Sequence, residues 1–600
     1  GQGKRPQPGG SNTRPASRLS ALSLFARLAP VAARALVIGL DGFDLSVVEQ
    51  LGPAQLPHIH GLMSRGVYAA LESVQPPATL PNWTTFLTGM DPAGHGVFDF
   101  TTRRGYQVRF TAGTAREVPT LFKRLDALGL SCACLSFPAT WPPERLQHGA
   151  FVSGWDAPVA FEADRSFMWP PSLYDETVRE FGNPVFDDVD EFHADAPGWI
   201  DRLPPALEQR VERKADWARW LLGERDWDAF AVYFGESDTA SHYLWAHHDP
   251  HSPRRPAEVS AEQADGLARV YRALDRAVGA LVDASGPDTE VTLLSDHGSG
   301  GSSDKVVHLN RLLERHGLLH FRPQRLNPAA RLKELALRRL PPRARERLFR
   351  LGNAWLPSRL ESNVRFGAID MRRTLVFSDE LNYFPGIHLN LAGREPQGIV
   401  QADARSEVIL RARAALLGTL DPWSGRPVFR DVIPREELFD GPYIDRAPDL
   451  LLELDLDEGY SYNVMPSEPP KVASAAPWRQ SRSTGPPPAF RKLAPHEHLG
   501  KKGRSLPGSH RSHGFMTLTG PSIRSHGRID AHIADLSATL LHRLDLAVPS
   551  AFQGRVLWEA LEETGAGQAT ALPDVSQVRR RTRTNEGLVE SRLRALGYIE

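Results

Sequence analysis

Acidic residues and histidines follow three apolar segments of this sequence, in pairings that suit metal ligation. Five of them come at or shortly after the ends of these segments: Asp41, Asp238, His242, Asp296 and His297. Carboxylate and imidazole ligands together suit Zn²⁺ and also Mn²⁺. Any one of these positions also fits an ordinary capped turn, so the interpretation depends on their occurring together. The set favours two adjacent sites for divalent metal ions.

A threonine stands in an unusual setting between the first and second of these segments. Thr79 lies in the stretch 76–89, where prolines flank it and a helix-like run begins at Trp83. A threonine hydroxyl is a weak nucleophile until metal coordination lowers its pKa, and a pair of cations can activate an attacking oxygen. A helix N-terminus here would also offer backbone N–H groups to an anion. We interpret Thr79 as a covalent nucleophile; the alternative is an ordinary turn residue.

The segments that carry these residues predict the fold class. Four short apolar runs predict strands: 35–40, 131–137, 229–234 and 291–294. Helical patterns such as 261–282 separate them, and a capping box at Thr114 and Glu117 predicts a helix ending at Gly129. Alternating strands and helices predict an α/β fold with a mostly parallel central sheet and helices on both faces. Ligands bind at the carboxyl edge of such sheets, where the acidic residues would lie.

Composition predicts one large folded domain, at 34–562, between two tails. Residues 1–33 are rich in Gly, Pro, Ser and basic residues and predict disorder with a short helix, and 563–600 predict a linker and a tail. An inserted cap region is predicted at about 321–384, where a basic helical segment fits either a lid or a solvated surface. A long loop is predicted at about 466–508, which is rich in Pro, Ser, Lys and Arg.

Composition and charge exclude several classes of protein. A net charge of -1 gives no support for nucleic-acid binding, and 41% hydrophobic residues are ordinary for a globular enzyme. The two cysteines, Cys132 and Cys134, predict buried strand residues rather than a disulfide framework. No run of about 18 apolar residues occurs, so no transmembrane segment is expected. A cytoplasmic location is expected, with export left open because the sequence does not begin with Met.

Eight short motifs extend the pattern along most of the chain, in this order: 40–44, 79–89, 95–96, 238–242, 295–298, 390–396, 447–450 and 508–511. As a set they resemble the alkaline phosphatase superfamily, specifically its type I phosphodiesterase/nucleotide pyrophosphatase family. The resemblance implies an alkaline-phosphatase-like fold and a hydrolase that acts on phosphoric esters. No Gly-x-Ser-x-Gly elbow, Walker P-loop or His-Glu-x-x-His helix is present to suggest a rival mechanism.

The resemblance also implies a set of ligands for each of two metal ions. The ions are most simply Zn²⁺, with Mn²⁺ as the alternative. One ion would take Asp41, Thr79, Asp296 and His297, and the other Asp238, His242 and His510. The sequence His510-Arg511-x-x-Gly514 fits the family pattern better than one built on His513, which is the alternative. In the implied reaction Thr79 attacks phosphorus in line, a phosphothreonine forms, and water then hydrolyses it.

The substrate is the open part of this interpretation. Nucleotide pyrophosphatases carry an asparagine shortly after the motif at 95–96, where this sequence has Phe100, so phosphate binding is expected to rest on backbone N–H groups near Leu80 and on the metals. No basic residue lies beside Thr79, which favours phosphodiesters over dianionic monoesters. The alternatives are a phosphomonoesterase or phosphomutase, a phosphonate hydrolase, or an inactive binding protein on the same fold. The expected partner is a small-molecule phosphoester, and the oligomeric state is open.

Overall fold

The structure of the chain, a computed structural model, describes these residues: 33–111, 113–154, 165–182, 191, 194–322, 366–380, 384–469, 488–500, 505–525 and 527–562. Both predicted tails lie outside them, apart from Ala33 in the first strand. Most of the predicted insertion at 321–384 and part of the predicted loop at 466–508 also lie outside. The division of the chain into these parts therefore stays a prediction.

The strands, in chain order, are β1 (Ala33–Leu40), β2 (Val67–Glu72), β3 (Thr101–Arg104), β4 (Gln107–Phe110), β5 (Cys132–Leu135), β6 (Gly149–Val152), β7 (Met168–Trp169), β8 (Trp227–Phe234), β9 (Glu290–Leu294), β10 (Gly298–Val307), β11 (Val376–Ser378), β12 (Ile387–Leu389), β13 (Phe429–Pro434), β14 (Leu450–Leu454), β15 (Leu456–Asp457), β16 (Tyr460–Val464), β17 (Phe490–Lys492), β18 (Gly508–Arg511), β19 (His513–Thr519), β20 (Gly527–Arg528) and β21 (Ala531–His532).

The α-helices are α1 (Leu45–Gln55), α2 (Pro57–Arg65), α3 (Thr79–Thr88), α4 (Pro92–His95), α5 (Leu121–Ala127), α6 (Ser172–Phe181), α7 (Trp199–Leu222), α8 (Glu236–His248), α9 (Ala261–Ser285), α10 (Leu309–Arg315), α11 (Arg405–Leu417), α12 (Arg435–Leu438) and α13 (Ile533–Arg543).

The central sheet has the strand order β20-β2-β19-β9-β1-β8-β5-β6-β7, with β21 also paired to β2. Strands β9, β1, β8, β5 and β6 are parallel neighbours, whereas β19 and β7 run antiparallel to the strands beside them. Alternate residues of β1 enter different cores: Leu36 packs in the core that includes α7 and α9, and Val37 in the core that includes α3 and α13. The predicted mostly parallel sheet with helices on both faces is confirmed.

Helix α3 is buried along its whole length, which fixes the position of its first residue, Thr79. Its anchor is Trp83, whose ring packs edge-on against Phe137 and Tyr233. The close approach requires a glycine in β1, because a Cβ atom at Gly39 would lie 2.7 Å from the Trp83 ring. The interior of the sheet thus holds the N-terminus of α3 against the carboxyl end of β1.

Three smaller sheets accompany the central one in the described part of the chain, one of them the β3-β4 hairpin. Strand β10 pairs with β16, β17 and β18, and β16 pairs with β15. The antiparallel sheet β11-β12-β14-β13 has its own hydrophobic core and is called the cap sheet below. The β3-β4 hairpin packs on the cap sheet through Tyr106, whose ring centroid lies 5.9 Å from that of Phe377. The range predicted as a long loop, 466–508, contains the short strand β17.

One local prediction is wrong and another is confirmed. The helix predicted to start near Thr114 starts at Leu121 instead, and its N-cap is Thr120, whose hydroxyl accepts from the backbone N–H of Lys123 at 3.2 Å. Pro119 explains the difference, because a proline disfavours the helical conformation of the residue before it. The cysteines are free and buried in β5, as predicted. Among the described helices, none has the length and apolar character needed to cross a bilayer.

Candidate metal centre

All seven predicted site residues are buried or nearly so and converge at the carboxyl edge of the central sheet. Asp41 follows β1, Asp296 and His297 follow β9, and His510 lies in β18. Asp238 and His242 lie one turn apart in α8, which follows β8, and Thr79 is the first residue of α3. The carboxylates therefore meet at the carboxyl edge of the sheet, as the sequence predicts.

The first group of ligand atoms is centred on His297. Its Nε2 atom lies 3.4 Å from Asp41 Oδ1 and 3.2 Å from Asp296 Oδ2. The Oγ1 atom of Thr79 lies 3.3 Å from the same nitrogen. The ligand atoms of Asp41, Asp296 and His297 all lie within 4.8 Å of one another, which is a spacing that one cation can bridge. Together with Thr79, they are the four residues that the family resemblance implies for the first metal ion.

The second group is centred on Asp238. Its Oδ1 atom lies 3.2 Å from His242 Nε2 and 3.4 Å from His510 Nε2, and the two Nε2 atoms are 3.2 Å apart. Ligand atoms of Asp238, His510 and His297 also lie within 4.8 Å of one another. His297 therefore lies between the two groups, and its ring stacks on that of His510 at a centroid distance of 3.6 Å.

Hydrogen bonds on the far side of each imidazole fix which nitrogen faces the centre. The Nδ1 atoms of His242, His297 and His510 lie 3.0, 3.0 and 2.9 Å from the backbone carbonyl oxygens of residues 508, 298 and 77. A carbonyl can only accept, so each Nδ1 carries a proton, and in the neutral ring each Nε2 then presents a lone pair. Metal-ligating histidines commonly have this outer partner, and it selects the tautomer that binds the ion.

The carboxylates give an independent test of whether metal ions fit this site. Asp41 Oδ1, Asp238 Oδ1 and Asp296 Oδ2 are buried and have no hydrogen-bond donor among the described residues. Buried acceptors that face other lone pairs are costly unless a cation compensates them. Three carboxylate oxygens and three imidazole nitrogens form a donor set suited to two divalent ions. The residues present therefore fit the predicted metal pair.

The electrostatics without cations show how strongly the site favours positive charge. Burial, with the nearby Asp238 carboxylate, raises the pKa of Asp41 to about 8, and burial with Asp41 raises the pKa of Asp296 well above its usual value. Burial also opposes ionisation of Asp238, but His242 and His510 together lower its pKa well below its usual value. Burial lowers the pKa of His297 and of His510, which keeps both rings neutral and able to bind metal.

Two donors that the sequence interpretation missed hold Asp41 in place. Tyr233 OH and Trp83 Nε1 both donate to Asp41 Oδ2, at 2.6 and 3.0 Å, and so turn Oδ1 toward the centre. The sequence carries a signal for one of them, because Trp83 comes one helical turn after Thr79. Tyr233 is the penultimate residue of β8, and only the pairing of β8 with β1 places it beside Asp41.

Removing the tyrosine hydroxyl should loosen this carboxylate. We expect Tyr233→Phe to weaken metal binding by about tenfold, the lower end of the effect of losing an outer-shell partner. Trp83 still donates to Asp41, which keeps the loss modest. The measurement is metal retained by the purified protein in competition with a chelator. Tyr68→Phe, the same deletion on β2, should retain metal like the wild type; equal affinity in both variants would contradict the role of Tyr233.

Three residues singled out in the sequence lie outside the centre. His513, the alternative to His510, is exposed at the start of β19. His95 is buried beside α3, where its Nε2 lies 3.1 Å from Thr85 Oγ1, and burial with the nearby Arg116 lowers its pKa to about 3. Phe100 packs against the apolar group that includes Leu80. His95 and Phe100 thus support the surroundings of α3 rather than contribute ligand atoms.

A cavity of about 200 Å³ opens beside the centre and shares His510 with it. Its other walls come from the segment before α3, from β3 and from the cap sheet, including Pro77, Arg103 and His388. Phe384, from the end of the predicted insertion, also lines it, and its ring centroid lies 5.7 Å from that of His510. The cavity is therefore continuous with one wall of the candidate metal centre through His510.

Comparison with known protein families identifies the class of hydrolase to which the chain belongs. Residues 35–475 match the Type I phosphodiesterase / nucleotide pyrophosphatase family. The chain belongs to this family, whose enzymes act on phosphoric ester bonds and use divalent metal ions. No curated protein sequence gives a significant match to the chain.

Among solved structures, the chain is similar to murine ectonucleotide pyrophosphatase/phosphodiesterase 5, with 14% identity, a TM-score of 0.43, and coverage of 86% of this chain and 96% of that one. The human protein of the same name shows 13% identity and a TM-score of 0.45, with coverage of 88% of this chain and 100% of that one. A third similar structure is phosphonoacetate hydrolase from Sinorhizobium meliloti 1021 in complex with phosphonoacetate. It shows 16% identity and a TM-score of 0.48, with coverage of 86% of this chain and 96% of that one.

Proposed function

We propose that the chain is a two-metal phosphodiester hydrolase with Thr79 as its nucleophile. The observation that supports this most directly is the position of Thr79 Oγ1, 3.3 Å from His297 Nε2 within the ligand cluster. Thr79 is also the first residue of α3, so its hydroxyl lies at the positive end of the helix dipole. A hydroxyl in this position could contact both a cation and the phosphorus of a bound ester.

Two divalent ions would be held by the side chains already described, one by Asp41, Thr79, Asp296 and His297, and one by Asp238, His242 and His510. Zn²⁺ fits three imidazoles and three carboxylates best, and Mn²⁺ is the alternative. When bound, such ions lower the pKa of the threonine hydroxyl and offset the charge that develops on the phosphoryl oxygens. The shared position of His297 allows small shifts in ligand assignment between the two.

The chain's own residues have defined tasks in the proposed reaction. Thr79 Oγ1 gives its proton to water and forms a bond to phosphorus as the opposite P–O bond breaks, and the departing alkoxide takes a proton from water. Backbone N–H groups in the first turn of α3 face the phosphoryl oxygens, in place of the asparagine side chain that Phe100 replaces. Water then attacks the phosphothreonine from the vacated side and restores the Thr79 hydroxyl.

Three of the four described arginines that line the cavity are engaged by the protein, and the fourth, Arg430, is exposed on β13; this favours a diester over a monoester. A dianionic monoester needs a basic side chain that is available to pair with it. Here Arg103 pairs with Glu395 at 2.8 Å, and Arg446 pairs with Glu117. Arg511 donates to the backbone carbonyl oxygens of residues 301 and 459, each at 3.0 Å. Their positive charge is already engaged by the protein, which suits a substrate carrying a single negative charge.

The diester preference can be measured directly. With Zn²⁺ or Mn²⁺ supplied, we expect the purified chain to turn over bis-p-nitrophenyl phosphate with a kcat/KM about tenfold or more above that for p-nitrophenyl phosphate, a difference of about 1.4 kcal/mol in transition-state stabilisation. Both substrates release the same chromophore, so one assay compares them. A preference for the monoester would contradict the diesterase proposal, and no turnover of either in the presence of metal would contradict the hydrolase proposal.

We also infer that the described end of the predicted insertion, 366–380 with Phe384, acts as a cap on this cavity. Two of these residues support this, because Asp379 and Phe384 both line the cavity wall. The cap would shape the pocket for the alcohol portion of the ester, while the sheet edge supplies the reacting groups.

A further inference from the structure

A second polar cluster lies on the cavity wall, apart from the proposed metal ligands. Its residues come from three strands or their ends: Arg103 lies in β3, His388 lies in β12, and Asp379 directly follows β11. His388 is 3% exposed and Asp379 4% exposed, yet both line the cavity. Buried polar side chains at a cavity wall usually have a ligand or a structural partner, and the geometry of this cluster distinguishes the two.

Arg103 fixes the tautomer of His388. One terminal guanidinium nitrogen of Arg103 lies 3.2 Å from His388 Nδ1. A guanidinium has no acceptor, so Nδ1 must accept and the ring proton must lie on Nε2. Burial, with the nearby Arg103, also lowers the pKa of His388, which keeps the ring neutral. His388 is therefore a neutral imidazole with a defined N–H donor.

The N–H group of His388 lacks a good hydrogen-bond acceptor within the described part of the protein. His388 Nε2 is buried and has no hydrogen-bond acceptor among the described residues. The nearest carboxylate oxygen, Asp379 Oδ2, is 3.6 Å away, which is too long for a good hydrogen bond. Two atoms at this separation can, however, both contact one oxygen atom placed beside them. The wall thus presents an N–H donor and a carboxylate acceptor next to each other.

Only some chemical groups satisfy such a pair. A hydroxyl can accept from the imidazole N–H and donate to the carboxylate at the same time. An ammonium group can only donate and leaves the imidazole N–H without an acceptor, and a second phosphate or a carboxylate would bring its negative charge against that of Asp379. The charge of Arg103 does not change this balance, because Glu395 contacts it at 2.8 Å. A neutral hydroxyl is the best match.

We propose that Arg103, His388 and Asp379 form a subsite that binds a hydroxyl group on the alcohol portion of the phosphoester, as in a polyol or sugar ester. The inference rests on the proposed function, because it places the phosphoryl group at the metal centre and the alcohol in the cavity beside it. His388 and Asp379 bind the hydroxyl, and Arg103 positions His388. The alternative is that the cluster only docks the β3-β4 hairpin on the cap sheet.

The test compares two diesters that differ only in their hydroxyl groups: methyl 2,3-dihydroxypropyl phosphate and methyl propyl phosphate. Their binding to the full chain carrying Thr79→Ala, with Zn²⁺ supplied, is measured by calorimetry, so that neither ester is consumed. We expect the dihydroxypropyl ester to bind about five- to tenfold more tightly, the factor that one net hydrogen bond contributes. Adding His388→Phe should remove this preference and leave binding of the propyl ester within about twofold.

Controls separate recognition from packing. His316→Phe, the same substitution at an exposed helix end, should leave the preference unchanged. Asp379→Asn should reduce the preference and provides the test if the His388 variant does not fold. Equal binding of the two esters, or an equal loss for both on His388→Phe, would overturn the subsite. A failure of the proposed function would appear elsewhere, as turnover that does not depend on Thr79 in the p-nitrophenyl ester assay.

Discussion

Replacement of Thr79 with alanine should lower the turnover of bis-p-nitrophenyl phosphate by more than about a thousandfold, because the proposed reaction has no other group that bonds to phosphorus. Bound metal should change little. The remaining donor set consists of three carboxylate oxygens and three imidazole nitrogens, and outer hydrogen bonds hold each imidazole in its ligand-ready tautomer. Loss of one weak hydroxyl ligand leaves that set intact.

The measurement pairs steady-state turnover with metal analysis of the same samples. Thr88→Ala is the matched control: it removes a hydroxyl at the other end of α3, which donates to the backbone carbonyl of Thr84 at 2.7 Å and accepts from the backbone N–H of Met90 at 3.3 Å. It should retain turnover within about threefold, in line with a small local effect. Unchanged turnover in Thr79→Ala would show that Thr79 is not the nucleophile. If the variant lost bound metal in proportion to its loss of turnover, the main role of Thr79 would be that of a metal ligand and not of a nucleophile.

The sequence predicted the parts of the site that depend on where a residue stands relative to its own strand or helix. Asp41 and Asp296 each follow an apolar strand, and because parallel neighbours end at the same edge, their meeting followed from the strand pattern alone. The α/β fold followed from the same alternation. The helix near Thr114 was placed wrongly, because a capping pattern shows where hydrogen bonds are available and not whether the backbone beyond can be helical.

Contacts between distant segments were beyond local pattern. His242 and His510 face each other across 268 residues of sequence, and Arg103 reaches His388 across 285. No periodicity encodes such pairs; His510 was found only because a family motif marks it, and His388 carries no motif of that kind. Tyr233 was missed for a related reason, since in an apolar strand a tyrosine is indistinguishable from ordinary core until the strand's neighbour is known.

Replacement of His510 with alanine gives the second large effect, and the chain supplies its own control. His510 Nε2 lies 3.4 Å from Asp238 Oδ1, and its Nδ1 is held by the backbone carbonyl of Pro77, just before the nucleophile. Losing even an outer-shell partner lowers metal affinity or activity by about 10- to 100-fold. Loss of a proposed ligand should therefore lower both turnover and affinity for one of the two ions by at least about a hundredfold.

His513→Ala makes the same chemical change three residues later, on an exposed side chain at the start of β19. It should bind two ions per chain and turn over like the wild type, whereas His510→Ala should bind one. Metal stoichiometry, by elemental analysis after dialysis, decides between them without relying on activity. Two ions in His510→Ala would remove His510 from the ligand set and leave His297, which lies within reach of Asp238, as the imidazole shared by both ions.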